Sequence, residues 1–99
     1  ASIAASKSAL EGLTKSLASE YASAKVCFNA VAPSLTNTPM AGNLLKTDRQ
    51  VEANEERNPM KQIGKPEQIA NSINFLLDAH NNWMTGQIIP VDGGMGNLK

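Results

Sequence analysis

The order of hydrophobic patterns in these 99 residues predicts a partial doubly wound α/β fold of the Rossmann-like kind, helix-strand-helix-helix-strand, with two parallel strands. Leu10, Leu13 and Leu17 recur at helical spacing near the start, and residues 25–31 and 87–91 are short, largely apolar runs bounded by turn-forming residues. A second helical pattern, opening at Pro66, lies between those two runs. A strand, a helical crossover and another strand form a right-handed βαβ unit, the building block of parallel sheets.

The first helix is expected over residues 3–21, with Ser2 as its N-cap and alanines supplying propensity and small surfaces. Gly12 inside it marks either a close packing point or a tolerated defect. Residues 25–31 (Lys-Val-Cys-Phe-Asn-Ala-Val) read as a strand buried on both faces, with Cys27 a buried thiol. Residues 32–43, rich in Pro, Ser, Thr, Asn and Gly, are a loop; residues 44–57 form a short, mobile helix anchored by Leu44, Leu45 and Val51, with Glu52, Glu55 and Glu56 in water. Pro66 stands at the first position of the next helix with Glu67 near its positive end, and Ile69, Ile73, Leu76 and Leu77 make its apolar face as far as Asp78 or His80. Pro90 places the second strand, residues 87–91, at a sheet edge or gives it an unpaired position. Asp92-Gly93-Gly94 is a tight turn and residues 95–99 are a tail.

Composition bounds the rest. A chain of this length makes one domain, residues 1–99, with a thin stability margin. Nine positive and nine negative charges balance, the positive ones are scattered, and no aromatic residues stand between them as stacking platforms, which argues against a nucleic-acid partner. One cysteine makes no internal disulfide, and no apolar run suits a membrane span or signal peptide, so the expected location is cytoplasmic. The chain enters helical periodicity at its first residues, as a fragment would. Two strands are too few for a covered parallel sheet, so a second copy in a homodimer or a missing N-terminal half is expected to cover apolar surface.

Several blocks, in this order and spacing, resemble the C-terminal part of the short-chain dehydrogenase/reductase family. They are residues 2–20, Asn29-Ala30-Val31-Ala32-Pro33, Thr38-Pro39-Met40, residues 64–70 (Gly-Lys-Pro-Glu-Gln-Ile-Ala), Phe75-Leu76-Leu77 and residues 85–94 (Thr-Gly-Gln-Ile-Ile-Pro-Val-Asp-Gly-Gly). The resemblance implies a parent enzyme that uses NAD or NADP to exchange hydride between a hydroxyl and a carbonyl. The family's glycine-rich pyrophosphate turn has no counterpart here, so no cofactor is expected for the isolated chain, and catalysis by it is not expected.

The family's catalytic pair is a tyrosine and a lysine one helical turn apart, where an ammonium favours the phenolate. Lys7 matches the lysine, but Ile3 stands at the tyrosine position. An isoleucine has no exchangeable proton, so Lys7 is a vestigial member of the pair that keeps a second implied role, bonding to the nicotinamide ribose. By the same resemblance Pro33, Thr36 and Thr38 belong to the loop that closes over the nicotinamide, with the backbone near Thr36 at the carboxamide and the Thr38 hydroxyl toward the phosphate or carboxamide side. Ser34 stands where the family usually has glycine, Gln62 where many relatives carry arginine, and residues 44–60 would form the lid over the substrate. The simpler alternatives are a solvated helix lysine at Lys7 and ordinary loop residues at Thr36 and Thr38.

Asp92 is expected to be structural, bonding to nearby backbone. His80 reads as a capping or surface residue. One histidine and one distant cysteine have no metal-site spacing, and the serines form no nucleophile elbow. Two other functions stay open: a non-catalytic interaction or scaffold module derived from the fold, which Ile3 favours, and a proteolytic remnant without independent function.

Overall fold

A computed structural model describes residues 2–98; Ala1 and Lys99, the last residue of the expected tail, lie outside them. The elements run α1 (Ser2–Tyr21), β1 (Ala30–Pro33), α2 (Asp48–Arg57), α3 (Pro66–Leu77) and β2 (Ile88–Val91), with single 3-10 turns at Ala22–Ala24 and Pro39–Leu44. The strands pair in parallel, Ala30 opposite Ile88 through Pro33 opposite Val91, and α3 packs against both. The expected partial doubly wound α/β arrangement is what the chain forms.

Helix α1 starts one residue early, so Ser2 lies within its first turn, where its carbonyl accepts from Ser6 Oγ at 2.8 Å. The far end closes with Lys25 in the left-handed region at φ 65. The Lys25 N–H donates to Ala22 O at 3.0 Å and the Val26 N–H to Tyr21 O at 3.3 Å, the paired bonds that usually end a helix at glycine. The buried positions of α1 are Thr14 and Ala18, whereas Leu10 and Leu13 are 58% and 54% exposed. The small side of the helix turns inward because the chain comes close there: a Cβ on Gly86 would lie 3.4 Å from Ala18 Cβ. Gly12 has nothing within 4 Å of where its side chain would be, so within this chain it is a tolerated defect rather than a packing point.

The first strand begins five residues later than its apolar run, because residues 26–29 meet residues 84–87 mainly through side chains, with one main-chain bond, rather than through a regular ladder. The Phe28 N–H donates to Thr85 Oγ1 at 3.0 Å, Asn29 Nδ2 donates to Met84 O at 3.0 Å, and Asn29 Oδ1 accepts from the Gln87 N–H at 3.1 Å. Gly86, at φ 71, donates its N–H to Phe28 O at 2.7 Å. Tyr21 and Phe28 stack at a tilt nearby, ring centroids 5.6 Å apart. Cys27 is exposed rather than buried, and β1 is half-buried rather than covered on both faces, because its only strand neighbour among the described residues is β2.

Ladder phase explains both strand prolines. The Ala30 N–H donates to Gln87 O at 2.9 Å. In a parallel ladder alternate residues turn their main-chain groups to the partner, so Ala30 and Ala32 face β2, and Ile89 and Val91 face β1. Pro33 and Pro90 therefore fall where an N–H would point away from the pair, and neither removes a ladder bond.

The residues after β2 are folded rather than a loose tail. The Asn97 and Leu98 N–H groups donate to Gly94 O at 3.0 and 2.7 Å, and the Leu98 side chain lies against Gly94. Apolar burial is small: Ala18 and Ala41 are the buried apolar residues among those described. Ile73, Phe75, Leu77 and Trp83 are exposed, so the apolar face of α3 is only partly used. The radius of gyration, 15.7 Å, exceeds the roughly 13 Å of a compact 100-residue domain. Among the described residues no helix is long and apolar enough to cross a membrane.

Two stability predictions follow from these contacts. Gly12→Ala is expected to raise stability by about 1 kcal/mol in urea denaturation, since the site is open and helical. Asn29→Ala is expected to lower it by about 1–3 kcal/mol, because Met84 O and the Gln87 N–H both lose their partner.

Candidate functional site

Lys7 stands in the first third of α1 with its side chain beside β1. It lines a groove of about 200 Å³ together with Leu10, Glu11, residues 30–33 and Ile88. The fold thus brings Lys7 and Pro33, 26 positions apart in the chain, to one surface. Thr36 and Thr38 are not in this groove; they lie farther along the loop that leaves it. Ile3, one turn before Lys7, is 73% exposed and presents only hydrocarbon.

The loop after β1 is held by a short bridge. Thr36 pairs in parallel with Gly64: the Gly64 N–H donates to Leu35 O at 3.0 Å and the Asn37 N–H to Gly64 O at 2.9 Å. Glycine suits this approach, since a Cβ there would sit 3.1 Å from Thr36 Oγ1. The Thr36 hydroxyl donates to Ser34 O at 2.9 Å, so its proton is committed inside the loop. Thr38 precedes the 3-10 turn in an extended conformation and its side chain makes no capping bond, which leaves the hydroxyl free of that duty.

Helix α2 starts at Asp48, four residues later than the apolar anchors suggest, because residues 39–44 form the 3-10 turn instead of a loop or a helix. Its start is fixed by a capping box that the sequence reading missed although Thr47-x-x-Gln50 is legible: Thr47 Oγ1 accepts from the Gln50 N–H and Gln50 Oε1 from the Thr47 N–H, both at 3.1 Å. Asn54 Nδ2 donates to Leu44 O at 3.0 Å, tying the helix to the turn, and Arg57 donates to Asn54 Oδ1. Glu52 and Glu56 are in water as expected, but Glu55 is half-buried. After the helix, Lys61 adopts φ 57 and its ammonium bonds to Glu56 O at 2.7 Å and to its carboxylate at 3.1 Å.

A second group of residues gathers where α2 ends and β2 ends. Asn58, buried, donates from Nδ2 to Asp92 O at 2.9 Å and accepts at Oδ1 from the Met60 N–H at 2.8 Å. Ser34 Oγ donates to the same Asp92 oxygen at 3.3 Å. The Asp92 carboxylate accepts from the Gly94 N–H at 2.9 Å and the Gly96 N–H at 3.1 Å, the structural use expected of it. These residues border a cavity of about 150 Å³ that also touches Gln62, Gln68 and Ile69. Asn58 was not singled out from sequence; the Asn58-Pro59 pair, a turn-initiating dipeptide, was the available signal.

His80 is a surface residue whose N–H and Nδ1 both approach Asp78 Oδ1, at 2.8 and 3.2 Å. Among the described residues no three metal-ligating side chains come together.

Comparison with known proteins agrees with the geometry. The family profile described as Enoyl-(Acyl carrier protein) reductase matches residues 1–96. The 3-oxoacyl-[acyl-carrier-protein] reductase of Thermotoga maritima is 40% identical over 92 residues, covering 93% of this chain and 37% of its own length. A short chain dehydrogenase family protein from Francisella tularensis superposes with a TM-score of 0.84 at 31% identity, over 94% of this chain and 42% of that one. RhlG of Pseudomonas aeruginosa, solved as an active-site complex with NADP, superposes at 0.83 and 32% identity, over 91% and 36%. The chain thus spans about two fifths or less of the length of these relatives.

Gly93→Ala tests the tightest contact of the second cluster. At φ +63 a Cβ would lie 2.4 Å from Asn58 Oδ1, so the variant is expected to lose about 2 kcal/mol or more in urea denaturation. The same change at Gly42, which has open space around it, should move the midpoint far less.

Proposed function

This chain belongs to the short-chain dehydrogenase/reductase family, and we propose that it is the C-terminal segment of an NAD(P)-dependent oxidoreductase that exchanges hydride between a hydroxyl and a carbonyl. The observation that carries the proposal is the meeting of Lys7 and Pro33, the carboxyl-terminal residue of β1, in one groove along that strand. Open α/β sheets take their ligands beyond the carboxyl ends of parallel strands.

The residues present fit the nicotinamide end of such a cofactor. The Lys7 ammonium is exposed on the groove and can donate to ribose hydroxyls, while the loop from Pro33 offers main-chain groups near Thr36 and a hydroxyl at Thr38. A nicotinamide cofactor, when bound, supplies the hydride. The pyrophosphate end is not served: that requires successive N–H groups at a glycine turn opening a helix, and the turn at Asp92-Gly93-Gly94 leads into further turns instead. Proton transfer by the family's phenol is absent, since Ile3 holds that position. The chain therefore supplies positioning groups for the nicotinamide end within a longer parent, and by itself neither holds the dinucleotide nor completes the reaction.

Residues 44–60 act as the lid, and the exposed Leu10 and Leu13 of α1 are covered by a second copy or by the N-terminal half of the same fold. A second reading, a non-catalytic association module, is favoured by one observation, the hydrocarbon at Ile3.

Calorimetric titration separates the two. The 99-residue chain is expected to show no saturable binding of NAD(H) or NADP(H) up to millimolar concentration, and the protein at its full native length is expected to bind one pair. Lys7→Ala should then weaken that affinity roughly tenfold, about 1.4 kcal/mol. No binding at full native length would leave the association module. Ile3→Tyr in the 99-residue chain is expected to give no turnover, because the pyrophosphate site is still lacking; measurable hydride transfer would overturn this.

A further inference from the structure

Three separate stretches of chain converge on one main-chain oxygen. The Asp92 carbonyl, at the end of β2, accepts from Asn58 Nδ2 at 2.9 Å and from Ser34 Oγ at 3.3 Å. A carbonyl has two lone pairs, so both donors are held without competition. Ser34 opens the loop that carries Thr36 and Thr38, and Asn58 is the C-cap of α2, at φ −82 and ψ 136. The 3-10 turn that continues this loop is tied to the body of α2 by Gln50 Nε2 donating to Asn43 O at 3.3 Å and Asn54 Nδ2 to Leu44 O at 3.0 Å. Ser34, at the start of the loop, shares with the C-terminal end of α2 the Asp92 oxygen.

The centre of this junction is specific. Asn58 is 7% exposed, and both ends of its amide are used, since Oδ1 takes the Met60 N–H at 2.8 Å. Gly93 brings its backbone so close that a Cβ would meet Asn58 Oδ1 at 2.4 Å. A buried amide satisfied at both ends has one favourable orientation, and removing either partner strands a polar group. Ser34 adds what a glycine at that position cannot, a side-chain donor.

We propose that Ser34 and Asn58 are positioning residues that couple the loop to the C-terminal end of α2 through the Asp92 carbonyl. Ordering of the loop thereby restrains the lid helix, and ordering of the lid restrains the loop, as coupling between two sites must be reciprocal. The functional consequence rests on the reading of this loop as cofactor-facing and of α2 as lid. The coupling itself rests only on the two bonds to the Asp92 oxygen.

Hydrogen exchange on the protein at its full native length, wild type against Ser34→Gly and Asn58→Asp, tests it with and without NADP(H). Ser34→Gly touches no atom of α2, yet it is expected to speed exchange at the Asn58 and Lys61 amides at least fivefold. Asn58→Asp, which replaces the donor with an acceptor facing a carbonyl, is expected to speed exchange at the Asn37 amide, with residues 69–77 of α3 staying within twofold. NADP(H) is expected to slow exchange at residues 58–61 in the wild type and not in Ser34→Gly, an effect that a merely structural serine would not abolish. If Ser34→Gly without ligand leaves Asn58 and Lys61 within twofold of wild type, the coupling is refuted. Should Asn58→Asp unfold the protein, the milder serine variant decides alone. If no dinucleotide binds, the proposed function fails, and the ligand-free comparison still decides the coupling.

Discussion

A parallel sheet pairs its strands only through long crossovers and needs cover on both faces, and that constraint shapes everything else in this chain. Its two strands are four residues each, and α3 is the helix that packs on both of them. One helix cannot bury two faces. Leu10 and Leu13 of α1 and the outer face of α3 therefore stay in water, and the buried apolar residues among those described are two alanines. Roughly 25 cal/mol per Å² of apolar burial is the usual source of stability, and here that source is small.

Directional polar contacts hold what burial does not. Asn29 and Thr85 join the approach to β1 with the approach to β2, where a ladder would otherwise be expected, and Asn58 joins the end of α2 to the end of β2. Such contacts contribute about 1 kcal/mol each when made and cost more when half-broken. They fix register and orientation more than they add stability. Glycine serves the same contacts at Gly86 and Gly93, where the backbone is left-handed, and at Gly93 the Asn58 side chain also occupies the space a Cβ would need.

The departures from the family pattern fall unevenly on the site. Under the proposed reading, Ile3 puts hydrocarbon where the resemblance implies a proton donor. Ser34, by contrast, is a donor that finds a partner, and Gln62 sits beside the same junction without a guanidinium to fork across it.

The helices, the two strands, their parallel sense and the structural use of Asp92 were legible because each depends on local pattern: spacing of leucines, Pro66 at a helix start, short apolar runs, a glycine turn. Family motifs likewise located Lys7 and Pro33, but the chain order alone does not show that they share a groove while Thr36 and Thr38 lie apart from it. What only the tertiary structure decided was which residues are buried and which polar atoms meet. The inward side of α1 is Thr14 and Ala18 because Gly86 approaches there, Cys27 is exposed because its run is bridged by side chains before the ladder begins, and Asn58 is buried because β2 ends beside it. Periodicity reports which face of an element is apolar; whether that face is covered depends on neighbours distant in sequence, and no local pattern encodes their arrival.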